Sequence, residues 1–482
     1  MLFNSLDFAV FLPIVFILYW FVCNTKLSIQ NIFIVVASYI FYAWWDWRFL
    51  SLIFFSTAVD YSIGIALSKQ QDNFKRKILL WASVAVNLGL LGFFKYYNFF
   101  LENFVLAFTL FGADLRYNSL NIILPVGISF YTFQTLSYTI DIYRKQLEST
   151  KNFVSFMAFV SFFPQLVAGP IERARDLLPQ FEVERKFNFD KAVDGLKQVL
   201  WGLFKKMVIA DNCAIFVDEF FGNHEVYSGS TLLIGAFFFT IQIYCDFSGY
   251  SDIAIGVSRL FGFNLSKNFA FPYFSKNIGE FWRRWHISLT TWYRDYFYIP
   301  MGGSRGTKLF QIRNTILIFL VIGLWHGAAW KFIVYGFINA LHFLPLIIWG
   351  RKKSKNRSVE TNKLVPSVRT AFGILKTFTF LVLVRVFFRA DDLNIAIGYL
   401  GKIFSSSLFS IPEFAQRTNA VAVFLGIIVF MSIEWFGKTN EYAIETLGSN
   451  WKRLYRWCFY YVLVFCIFYF YAKPQQFIYF QF

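Results

Sequence analysis

The sequence predicts an all-α, polytopic integral membrane protein of roughly 11–14 membrane-embedded helices. Three observations carry that prediction. Hydrophobic residues make up 57% of the 482 positions and charged residues 16%, against roughly 45–50% and about 25% in soluble domains. Aromatic residues reach 22%, with 66 Phe, 26 Tyr and 15 Trp. Apolar runs of about 20 residues, the length needed to cross a ~30 Å hydrocarbon core, recur along the chain. Too little charge remains to cover a water-exposed surface. A disordered chain, a disulfide scaffold and a nucleic-acid binder are therefore excluded. The net charge of +17 reads as Lys and Arg gathered in cytoplasmic loops and near anionic headgroups. Five scattered cysteines form no C-x-x-C pair, so neither a disulfide framework nor a zinc site is indicated.

Spans are expected near 7–22, 28–45, 49–67, 78–100, 310–330, 332–350, 366–388, 418–437 and 456–472. Met1–Asp7 has no basic region, so the first apolar run reads as a retained span rather than a cleaved signal. Loop charge sets orientation. Lys69, Lys75, Arg76 and Lys77 mark 68–77 as cytoplasmic, and Arg351, Lys352, Lys353, Lys355, Arg357, Lys363 and Arg369 mark 351–369. Counting from these loops places both termini outside and 438–455 inside, and requires an even number of crossings between the two loops. No repeat or long linker divides the chain. One integral membrane domain over 1–482 is expected, with clear spans in 1–100 and 310–472 and an irregular core at 119–331.

Three stretches of that core do not read as lipid-facing helix. In Ser161–Arg173, Pro164, Gly169 and Pro170 interrupt an apolar run. Such backbone persists at membrane depth only if buried in protein or lining a wet cavity, as a re-entrant segment does. The alternative is a helix ending at the surface with Glu172 and Arg173 among headgroups. In Gln242–Asp252, Asp246 and Asp252 interrupt an apolar run, and an intramembrane carboxylate is costly unless paired or hydrated. Either a nearby Arg pairs with Asp246 or the two acids line a polar cavity. In Phe281–Tyr298, Trp, Tyr and Arg suit an interfacial helix, but that reading leaves His286 unexplained. Residues 190–209 read as a second interfacial helix, with Lys191, Lys197 and Lys205 off its apolar face.

Of four histidines, His224 lies in a polar loop and His342 in an apolar helix beside Asn339. His326 differs. If 313–331 is one helix, His326 sits about 20 Å from Arg313 and about 7 Å from Lys331, buried roughly two-thirds of the way across. Charging an imidazole there is expensive, so a neutral, base-competent form is expected. A structural hydrogen bond to a neighbouring helix is the competing role. Gly302-Gly-Ser-Arg-Gly306 matches G-x-S-x-G but lacks the strand–turn–helix context of a nucleophile elbow. No H-x-x-x-x-D box and no metal-ligand spacing such as H-E-x-x-H occurs. The metal expectation is none. Nothing beyond the count of two buried histidines suggests haem.

The stretches Ser161–Arg173, Tyr244–Asp252, Phe281–Ser288, Tyr298–Ser304, Leu324–Gly327, Phe387–Ala390 and Phe477–Phe482 resemble, in order, the membrane-bound O-acyltransferase (MBOAT) family. They resemble most its branch of alginate O-acetylation and teichoic-acid D-alanyl transfer proteins. The resemblance implies acyl transfer through the membrane, with the family's invariant histidine at His326 and a second histidine at His286. It also implies a central polar tunnel between a cytoplasmic thioester donor, acyl-CoA or an acyl-carrier thioester, and an extracytoplasmic polysaccharide or cell-wall glycan. No bound cofactor is implied; the location is the bacterial cytoplasmic membrane.

Residue chemistry fits such a reaction. A neutral histidine suits proton removal from an attacking hydroxyl. Arg283, Arg284 and Arg294 are candidate contacts for donor phosphates, with snorkelling to headgroups as the alternative. Glu280 and Asp295 are candidates to orient His286. Asp246, Asp252 and Trp325 are candidate tunnel residues. An esterase-like extracytoplasmic partner is expected to complete delivery to a large polymer. A transporter or flippase, or a scaffold of a glycan-export complex, is the rival reading.

Overall fold

The recurrent apolar runs fold as helices. In the computed structural model, which describes the chain except residues 113–114, 116–118, 168, 351–363, 472–476 and 479–482, no strand occurs among the described residues. Seven helical segments there are long and apolar enough to cross a membrane: Leu27–Lys69, Asn73–Leu110, Gly229–Leu260, Lys308–His326, Trp330–Ile348, Val368–Arg389 and Arg417–Phe436. Leu27–Lys69 is a pair, Leu27–Asp46 and Leu50–Lys69, separated where Asp46 turns extended and accepts the Arg48 amide. The expected span at 456–472 is the helix Arg453–Tyr469. The cationic cluster Arg351–Lys363, Lys473 and the last four residues of the terminal motif lie outside the described residues.

The chain forms two compact units. The first comprises Met1–Ala192 with Val257–Ser266. Its polar centre is Asp60, which accepts from Ser83 Oγ at 2.5 Å and Asn87 Nδ2 at 2.8 Å. Thr135 donates in turn to Asn87 Oδ1. A carboxylate among apolar helices needs such partners. Ser161–Arg173 belongs to this unit and is broken as its prolines and glycine demand. Helix Phe153–Ser161 stops, and a single turn, Phe163–Leu166, carries Pro164 in its first positions, where a missing N–H costs nothing. The irregular backbone is buried in protein, and Glu172 is buried, accepting from the Ser266 amide and hydroxyl. Of the two readings offered by the sequence, a helix end with Glu172 among headgroups is not the one adopted.

The second unit comprises Val193–Gly256 with Lys267–Phe482. Two glycine contacts set its central crossing. A Cβ on Gly249 would lie 2.8 Å from the Gly202 carbonyl, and one on Gly256 would collide with the Gly195 carbonyl. Small residues at this spacing let helix backbones approach closely. The helix Phe189–Leu203 continues through a π-helical turn, Phe204–Ala210, into Asp211–Gly222. That turn corrects the sequence reading of Lys205 as a surface cation: Lys205 and Lys206 are both buried.

The hairpin of Lys308–His326 and Trp330–Ile348 also rests on glycine. A Cβ on Gly323 would meet the Phe332 carbonyl, and one on Gly336 the Phe319 carbonyl. No helix runs over 313–331. It ends at His326, Gly327 is extended at φ −168° and ψ 154°, and the chain reverses. His326 is therefore the last residue of a helix of 19 residues, at the hairpin tip. Lys331, expected near an interface, is buried and donates to the Ala390 carbonyl at 2.6 Å.

Candidate active site

All the sequence-predicted site residues fall in the second unit. His326 is buried by rings: Phe388 at 5.1 Å, Trp325 at 5.1 Å and Tyr335 at 6.4 Å between centroids. His286 is buried by Phe247, edge-on at 4.7 Å, and Phe269 at 6.3 Å. The indole of Trp325 lies 6.0 Å from the His286 ring, so it flanks both imidazoles. The structure thus brings His286, Trp325 and His326 together from parts of the chain 40 residues apart.

The interfacial helix read over Phe281–Tyr298 is two short helices, Ile278–Arg284 and Ile287–Tyr293, and His286 is the residue between them. Its backbone is left-handed, φ 43° and ψ 57°, a conformation that costs a non-glycine residue about 1–3 kcal/mol and that clusters at functional sites. Two backbone bonds hold it: Ile287 N donates to Asn268 O at 2.9 Å and Ala270 N to Arg284 O at 2.9 Å. The side chain meets Asn268 Oδ1 through Nδ1 at 3.0 Å. His286 lies outside the long apolar helices; burial first, and the charge of His326 second, hold its imidazole well below the usual histidine range.

The carboxylates considered as orienters pair with arginines. Glu280 pairs with Arg284 at 2.7 Å and accepts the Lys276 amide. Asp295 pairs with Arg294 at 2.6 Å. Arg283 and Arg294 are exposed and Arg284 half-buried.

Asp246 pairs with Lys206 at 2.6 Å rather than with an arginine, and it also accepts the Ile478 amide. Lys206 reaches Asp211 at 2.8 Å. Asp252 takes Lys205 at 2.5 Å and Gln198 Nε2 at 2.7 Å. Lys205, Ser251, Asp252, Lys267, Asn268 and Glu434 line a small polar cleft of about 20 Å³. Glu434 accepts from Trp201 and Tyr244. Burial lowers the Lys267 ammonium from its usual value.

Sequence reasoning misplaced Lys205 and passed over Lys206, Asp211, Glu434, Asn268 and the buried Arg385. Two signals were present: Glu434 is an isolated charge in an apolar run, and Lys205-Lys206 precede Asp211 within an apolar stretch. Arg385 stacks over Trp285 at 4.4 Å, beside His286 in sequence, and meets the Tyr273 hydroxyl. His342 stacks on Phe380 at 3.8 Å, and the carbonyl of His224 accepts from Lys402. Gly302 and Gly306 adopt φ 97° and 93° in a loop, with no strand before it among the described residues. Among the described residues, no group of three or more His, Cys, Asp and Glu is placed to hold a metal.

Comparison with known proteins places these features in a family. The model of the membrane-bound O-acyltransferase family, MBOAT, matches residues 39–374, a range that includes both buried histidines. The probable alginate O-acetylase AlgI of Azotobacter vinelandii is 39% identical over 456 residues, covering 93% of this chain and 87% of that protein. The peptidoglycan O-acetyltransferase of Helicobacter pylori is 32% identical over 528 aligned positions, covering 100% of this chain and 98% of its own. The teichoic acid D-alanyltransferase of Bacillus subtilis is 28% identical over 272 residues, covering 54% and 67%. The chain therefore belongs to the membrane-bound O-acyltransferase family, and it is a polytopic inner-membrane enzyme of O-acyl transfer.

Proposed function

We propose that this protein transfers an acetyl group from a cytoplasmic thioester to hydroxyls of an extracytoplasmic polysaccharide or cell-wall glycan. The observation that carries the reading is the buried pair His286 and His326, flanked by one indole within a single unit. Relatives similar along most of their length are acetylases of alginate and of peptidoglycan. In this reading His326 takes the proton of the acceptor hydroxyl as the oxygen attacks the thioester carbonyl. The carbon–sulfur bond then breaks and the thiolate leaves. Rings around both imidazoles exclude water, which protects the acyl group from hydrolysis. His286 supports proton transfer beside it.

The donor is acetyl-CoA or an acyl-carrier thioester, with Arg283, Arg284 and Arg294 as its phosphate contacts. The two groups meet in a tunnel among membrane-embedded helices, some of them re-entrant, with Asp246 and Asp252 along its polar wall. We take 1–482 as one acyltransferase domain with both termini extracytoplasmic. Loop charge then puts the base of the histidine hairpin on the cytoplasmic side and its tip, with His326, toward the acceptor. Membrane lipids surround the protein, and a separate extracytoplasmic esterase-like transferase completes delivery to the polymer.

The test is glycan O-acetyl content in a strain carrying His326→Ala at normal protein level, with release of free CoA by the purified protein from acetyl-CoA as the companion measurement. Loss of acetylation is expected. Normal acetylation would remove His326 from the reaction. Acceptor transport without thioester consumption would make the protein a transporter.

A further inference from the structure

We infer that Asn268 is a positioning residue that fixes the proton of His286 on Nδ1 and so makes Nε2 the proton-accepting nitrogen. The inference rests on the reading of His286 as part of the acyl-transfer site. In a neutral imidazole one nitrogen carries the proton and the other accepts it, and the hydrogen bond made by the first decides the second.

Asn268 is 1% exposed, and both ends of its amide are engaged. Its Oδ1 faces His286 Nδ1 at 3.0 Å and accepts from Ser288 Oγ at 2.9 Å. Its Nδ2 donates to Ser251 Oγ at 3.0 Å, which ties the amide to the long helix Gly229–Leu260. Its backbone carbonyl accepts the amide of Ile287, the residue after His286. One residue therefore holds both the strained main chain and the side chain of His286. With Oδ1 turned to the ring, Nδ1 must donate.

An amide in this place has a consequence that a carboxylate would not. A carboxylate would hold the ring's orientation but would also favour the imidazolium. Asn268 sets the orientation and tautomer while adding no charge, so the imidazole stays neutral between turnovers. Glu280 and Asp295, the neighbouring acids on the same stretch, are engaged by Arg284 and Arg294.

The experiment is solid-state nitrogen NMR on full-length protein labelled at histidine and held in lipid bilayers. The His286 signal is assigned by its loss in His286→Gln. The wild type is expected to show a protonated Nδ1 and an unprotonated Nε2. Asn268→Leu is expected to move the proton to Nε2 in a large share of molecules and to lower cellular glycan acetylation roughly tenfold or more. Asn268→Asp, which can still accept from Nδ1, is expected to keep Nδ1 protonated and to raise the share of imidazolium. A wild-type His286 carrying its proton on Nε2, or an unchanged tautomer in Asn268→Leu, overturns the inference. If Asn268→Leu does not fold, the wild-type and Asn268→Asp spectra decide it. Normal acetylation in His286→Gln, with the wild-type spectrum as expected, would remove His286 from the reaction and leave the tautomer assignment standing.

Discussion

The two buried histidines are positioned by opposite means. His326 ends a helix whose place is set by packing: Gly323 and Gly336 bring two helices to backbone contact, and the Gly327 bend turns the chain. The rings of Trp325, Tyr335 and Phe388 surround its imidazole. His286 lies between two helices of seven residues, in a left-handed conformation that short hydrogen bonds to Asn268 and Ala270 maintain. Packing fixes a helix as a body, and a lost methyl is spread over many contacts. A hydrogen-bonded loop depends on a few atoms, and each is separately vulnerable. The comparison teaches that one site can combine a histidine placed by volume with one placed by valence.

Four variants can break or sharpen that contrast. His326→Ala removes the proton acceptor and should lower glycan O-acetylation about 100-fold or more at equal protein level, read by ester release from isolated glycan. His286→Gln keeps a polar side chain but not its proton chemistry, and a drop of roughly tenfold or more is expected in the same assay. Full activity would reduce His286 to a packing residue. Gly323→Val forces a side chain against the Phe332 carbonyl and the Gly336 Cα, which must open the hairpin. It should cost about 1–3 kcal/mol, seen as a lower melting temperature in detergent with activity falling in parallel. An unchanged melting temperature would mean that packing does not place His326. Ser288→Ala removes one donor to Asn268 Oδ1 and should cost about 0.5–1.5 kcal/mol, with activity reduced only a few-fold. A loss as large as that of His286→Gln would show that the hydroxyl itself takes part in the reaction.

Much of this was legible because helices are local. Spans expected at 28–45, 49–67, 332–350 and 418–437 correspond to helices Leu27–Asp46, Leu50–Lys69, Trp330–Ile348 and Arg417–Phe436. Their length and composition suffice for recognition. The single helix supposed over 313–331 ends before Gly327, whose bare Cα is needed where Phe332 folds back on it. The ion pairs were not legible at all. Lys205 finds Asp252 across 47 positions and Lys206 finds Asp246 across 40, and only the crossing of two helices brings them together. An arginine was one of the alternatives offered for Asp246, and the partner is Lys206. Asn268 was invisible for the same reason, since nothing local distinguishes it from a loop asparagine.

The π-helical turn Phe204–Ala210 implies a fragility of register. In a regular α-helix consecutive side chains diverge by about 100°, yet here two adjacent lysines both face inward to acids on one helix. A π-helical turn holds one residue more than the α-helical turn it replaces, so deleting one residue would return it to α geometry while the helices on either side keep their facing. In that geometry adjacent side chains diverge, and only one of the two lysines could still face the acids of the neighbouring helix. A one-residue deletion therefore tests the turn itself, which substitutions at the same positions leave at its full length.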